Sequence, residues 1–127
     1  MKGPTAHERE FWEENGYLHF EQAMVRDDLT RLQRAFDRAV DDCKADWLEG
    51  VAKGTSPAAH FDIPMPLGRD DVFIDIVDYP AWYPYLQDFA EGELIIIGTQ
   101  VRILPAQPIS YVGWHADVPL TNPLHMK

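Results

Sequence analysis

His115 and Asp117 stand two positions apart in the tetrapeptide Trp114-His115-Ala116-Asp117. On an extended backbone, alternate side chains leave the same face, so this spacing brings an imidazole nitrogen and a carboxylate oxygen within reach of one metal ion. The pair makes up two of the three protein ligands of the 2-His-1-carboxylate facial triad, which holds non-haem Fe(II) and keeps the other coordination positions open. Neutral imidazole and ionised carboxylate are suitable donors, and the carboxylate offsets part of the metal charge. The third ligand has to be a distant histidine, and spacing does not name one. Taken alone, the pattern is also met by a surface histidine beside an ordinary aspartate.

The chain carries its own control. His60-Phe61-Asp62 has the same spacing, but it sits among Pro57, Pro64 and Pro66, whereas the later pair closes an expected strand. Context therefore favours His115 and Asp117, with His60 left as a solvated or capping residue that reaches the site only through its loop. His7 falls in a first helical turn and His19 in a short extended stretch. His125 reaches a metal at His115 only if the chain after Pro119 and Pro123 turns back sharply.

The elements that must position these residues follow from pattern. Thr5 and Glu8 have capping-box spacing ahead of Phe11 and Trp12, which predicts a helix from about Ala6 to Glu14 stopped at Asn15-Gly16. Tyr17 to Phe20 reads as a short strand. Leu29, Leu32, Ala35, Phe36, Ala39, Val40, Cys43 and Trp47 form one stripe at helical spacing, so a long helix is expected over Asp27 to Trp47. Cys43 lies on that stripe and reads as core packing rather than a nucleophile.

Gly50 to Gly68 is a long, poorly periodic connection. Asp70 to Val77 fits both a helical and an alternating period. Pro80 precedes a helix whose apolar side is Trp82, Tyr85, Leu86 and Phe89, closed by Gly92. Leu94 to Leu104 is rich in β-branched residues and reads as a strand. Pro105 to Pro108 is a turn, and Ile109 to Asp117 a second strand that ends in the metal motif. Helices first and strands last make the fold class α+β.

Composition narrows the partners. The 127 residues carry a formal net charge of −10, which disfavours nucleic acid and anionic membrane, since phosphate binding needs clustered Lys and Arg. A single cysteine excludes an internal disulfide and fits a reducing cytosol. The first ten residues lack the apolar core of a signal peptide, and the longest apolar run, Leu94 to Ile97, cannot span a bilayer. A soluble, cytoplasmic protein with a small-molecule substrate is expected.

Several stretches together resemble one family. Phe11-Trp12-Glu13-Glu14-Asn15-Gly16-Tyr17-Leu18 is similar to the opening of phytanoyl-CoA dioxygenase-like proteins, in which a helix ends at a glycine and a short strand follows. Val25-Arg26-Asp27-Asp28-Leu29-Thr30-Arg31-Leu32 resembles the start of the long helix that comes next in them. The Phe73 to Gly92 region, the strand through Arg102-Ile103-Leu104-Pro105, and Trp114-His115-Ala116-Asp117 follow in the family's order.

The resemblance implies a double-stranded β-helix (jelly-roll, cupin-like) core, Fe(II), and 2-oxoglutarate as cosubstrate. It further implies hydroxylation of an unactivated C–H bond coupled to release of succinate and CO2. Carried over residue by residue, His115 and Asp117 are the first two iron ligands. Gln100 and Arg102, on one face of the preceding strand, become candidates for contact with the cosubstrate.

Family members continue through further strands that supply the distal histidine and a basic residue for the 2-oxoglutarate C5 carboxylate. The chain is therefore expected to be a partial dioxygenase domain over residues 1–127, mainly helical over 1–92, with the first jelly-roll strands over 93–127. As such it is inactive or incomplete alone, and prone to self-association through open strand edges or to pairing with a missing C-terminal half. The alternative is a non-catalytic α+β binding or interaction module that keeps a vestigial metal motif. A third arrangement borrows His125 from a neighbouring subunit.

Overall fold

Thr5 and Glu8 begin the first helix as expected. In the computed structural model, which describes residues 3–90, 93–96 and 98–104, the Thr5 hydroxyl accepts from the Glu8 N–H at 3.3 Å. The Glu8 carboxylate in turn accepts from the Thr5 N–H at 2.7 Å, so both halves of the capping box form. Helix α1 (Ala6–Asn15) ends where Gly16 takes a left-handed conformation, φ 76°, which costs a residue without a Cβ little. Among the described residues the stretch Tyr17 to Phe20 finds no strand partner and does not form the expected strand. Its rings serve as packing elements instead: Tyr17 meets Phe11 edge-on at 5.3 Å and Phe20 meets Tyr85 at 4.7 Å.

Helix α2 (Arg26–Lys53) follows the apolar stripe, and Ala35, Ala39 and Cys43 on it are buried. It runs six residues past Trp47, through Gly50. That glycine is a packing requirement rather than a stop, because a Cβ there would collide with the Ser56 side chain. The chain leaves the helix only at Gly54.

The long connection then contributes structure of its own. Strand β1 (Phe61–Asp62) lies antiparallel to β2 (Arg102–Ile103), with Phe61 opposite Ile103 and Asp62 opposite Arg102. The Ile63 N–H extends the pairing onto the Val101 carbonyl at 2.9 Å. A 3-10 turn at Pro66–Gly68 leads to α3 (Asp71–Asp75), which Asp70 caps by accepting from the Val72 N–H at 3.1 Å. That cap resolves the ambiguous segment as helix. Helix α4 (Tyr83–Phe89) follows. Of the strand expected over Leu94 to Leu104, Arg102 and Ile103 form the ladder among the described residues, with Val101 accepting one further bond from Ile63.

Two buried clusters hold these elements on α2. Ala39 and Cys43 pack with Phe61 and Ile63, and Trp47 stacks on Phe61 at 5.2 Å. Ala35 packs with Val72 and Phe73, and Val101 touches both clusters. Arg31–Asp75 at 3.1 Å and Arg38–Asp70 at 2.6 Å tie α3 to α2 at their surface. Among the described residues no helix is long and apolar enough to cross a membrane. The turn at Pro105 to Pro108 and the strand Ile109 to Asp117 lie outside the described residues, so the sheet on view is two-stranded.

Candidate functional site

The short antiparallel ladder brings together residues that sequence spacing kept apart. Cross-strand neighbours lie within reach of long side chains, so Arg102 meets Asp62 directly. The guanidinium engages the carboxylate on two donors, Nε to Oδ1 at 2.6 Å and Nη2 to Oδ2 at 2.8 Å. This fork-to-carboxylate geometry is the strong form of an ion pair. His60 joins from the same strand side, with Nε2 at 3.4 Å from Asp62 Oδ2. His60 and Asp62 therefore do point the same way, as alternate residues on an extended backbone should.

Their electrostatics decide what the group can do. The hydrogen bonds from Arg102 hold the Asp62 carboxyl below the usual carboxylate range. Partial burial opposes that shift, and the charges of Arg102 and His60 reinforce it. The carboxylate is thus committed to a cation already present, and a divalent metal placed there would face the guanidinium at contact distance. Among the described residues no group of three or more His, Cys, Asp or Glu side chains is arranged to hold a metal ion. Among the described residues the early H-x-D is part of an ion-pair group with Arg102.

Arg102 and Gln100 have different described surroundings. Arg102 serves the ladder, whereas Gln100 borders a cavity of about 640 Å³ between α2, α3 and the segment leading into β2. His115 and Asp117, with Trp114, lie outside the described residues, as does His125. His7 and His19 line a shallow depression with Phe11 and Tyr17 beside α1, far along the chain from β2.

The Asp62–Arg102 pair was not readable from spacing, since the partners are forty positions apart and their strands are two residues long. The cavity had a signal: Gln33 and Asp37 follow Leu32 and Phe36 by one position each, so a polar edge runs beside the apolar stripe of α2. No family model, no curated protein and no solved structure matches the chain.

Proposed function

We propose that the chain carries the first two iron ligands, His115 and Asp117, of an Fe(II)/2-oxoglutarate-dependent hydroxylase of the phytanoyl-CoA dioxygenase type with a jelly-roll core. The observation that carries this reading is Trp114-His115-Ala116-Asp117, preceded in family order by a capped helix stopped at Gly16, a long amphipathic helix and a strand through Arg102. The donor chemistry fits: one neutral imidazole and one carboxylate suit Fe(II). When bound, the metal and 2-oxoglutarate would supply the power to oxidise an unactivated C–H bond, and the protein would orient the substrate and exclude water. Gln100 and Arg102 remain the candidates for cosubstrate contact, and Arg102 would serve only by sharing its guanidinium with Asp62.

Titrating the purified chain with Fe(II) without oxygen, and then assaying succinate release, tests the proposal. The expected result is weak binding that disappears in both His115→Ala and Asp117→Ala, with negligible 2-oxoglutarate turnover by the 127 residues alone. Binding that ignores both substitutions would overturn the ligand assignment. It would favour the second reading, a non-catalytic small-molecule binding module, for which the cavity beside α2 is the supporting feature.

A further inference from the structure

The cavity beside α2 has an apolar floor and a polar rim. Leu32 and Phe36 from α2, Phe73 from α3 and Val101 ahead of β2 form its apolar surface, and Phe73 is buried. Gln33, Asp37 and Gln100 stand exposed at its mouth. Helical spacing puts Gln33 and Asp37 one turn apart on one face, so an amide and a carboxylate look onto the same opening. No hydrogen bond or ion pair engages these three side chains among the described residues. By contrast, the neighbouring acids Asp70 and Asp75 are paired with Arg38 and Arg31. At about 640 Å³ the cavity falls in the size range of small-molecule sites, which combine apolar walls with a few polar groups that fix orientation.

We infer that this cavity binds a small organic cation: an apolar, preferably aromatic body resting on Phe36 and Phe73, with an ammonium group at the mouth beside Asp37, Gln33 and Gln100. The sign of the charge follows from the rim, where among the described residues the ionisable group is a carboxylate and the other two polar groups are neutral amides. The net charge of −10 acts in the same direction at long range. A carboxylate-bearing molecule of the same shape is rejected by Asp37. The site does not depend on iron at His115 and Asp117, but it takes Gln100 for the cation and leaves Arg102 as the candidate for cosubstrate contact.

A matched set of probes isolates the charge: 4-phenylbutylamine, 4-phenylbutanol and 4-phenylbutyrate share one body. Each is titrated into the 127-residue chain while backbone amide resonances are followed by NMR. The amine is expected to bind about fivefold more tightly than the alcohol, the increment of one exposed charge pair, and the butyrate more weakly than either. Shifts should centre on Leu32, Phe36 and Phe73. Asp37→Asn should bring the amine to the affinity of the alcohol. Asp41→Asn, exposed on the same helix outside the cavity, removes the same net charge and should leave the preference intact. Both positions are exposed, so neither variant threatens the fold, and unchanged spectra without ligand would confirm that. The inference fails if the three probes bind alike, if none binds, or if Asp41→Asn acts as strongly as Asp37→Asn.

Discussion

Helix α2 and helix α1 are fastened to the rest of the molecule in different ways. Helix α2 sinks small residues, Ala35, Ala39 and Cys43, beneath Phe61, Ile63, Val72 and Phe73, so its contacts are removed from water. Helix α1 buries no residue fully, and neither does α4, on which it rests. There Trp12 stacks on Phe89 at 4.8 Å, Tyr85 donates to Glu8 at 2.9 Å, and Arg9 pairs with Asp88. Desolvated aliphatic contacts scale with area, whereas half-exposed rings and surface charges contribute less per contact. The α2 side should therefore set global stability, and the α1–α4 seam should open first.

The sharpest way to break this contrast is to truncate one ring on each side. Phe73→Ala should cost about 3–5 kcal/mol in urea unfolding, the range for a buried phenylalanine. Phe89→Ala should cost only about 1–2 kcal/mol, for a ring pair that keeps solvent contact. Equal losses would show that the seam belongs to the same cooperative unit.

An intermediate effect is expected at Gly50. Alanine is the better helix former by roughly 1 kcal/mol, yet Gly50→Ala should destabilise by about 1–2 kcal/mol, because its Cβ drives into the Ser56 side chain. Adding Ser56→Gly should restore most of the loss. If Gly50→Ala stabilises the chain, the close approach at the end of α2 is wrong.

The smallest effect concerns acid. Hydrogen bonds from Arg102 hold Asp62 low, the Val72 N–H followed by Arg38 holds Asp70 low, and Thr5 holds Glu8 low. A carboxyl depressed by folding adds stability that is complete above its unfolded value, near 4, and is lost as pH falls through its folded value. Stability should therefore drop below about pH 4. Arg102→Gln should flatten that limb while costing under about 1 kcal/mol at neutral pH, since Asp62 keeps 40% of its side chain in solvent. An unchanged acid limb in Arg102→Gln would detach Asp62 from the ladder.

What could be read in advance was local. The capping box at Thr5 and Glu8, the stop at Gly16 and the stripe of α2 depend on residues within a turn or two of one another, and each is present. The end of α2 was not readable, because Gly50 looks like a breaker until Ser56 is known to lie against it. Tyr17 to Phe20 has the residue types of a strand, but among the described residues its rings are drawn to Phe11 and Tyr85. Among the described residues the expected strand over Leu94 to Leu104 pairs where β1 meets it, and β1 is hidden in a proline-rich connection. For the candidate site, same-side geometry for H-x-D holds at His60 and Asp62. There Arg102 neutralises the earlier aspartate, while His115 and Asp117 lie outside the described residues.

Cys43 sits midway along the longest helix with 6% of its surface accessible, and it is the chain's lone thiol. An alkylating reagent can reach that sulfur only when α2 lifts off the ladder. The molecule thus comes with a built-in stopwatch: the rate at which the thiol is consumed counts excursions of its interior, and it is blind to fraying at the ends of α2.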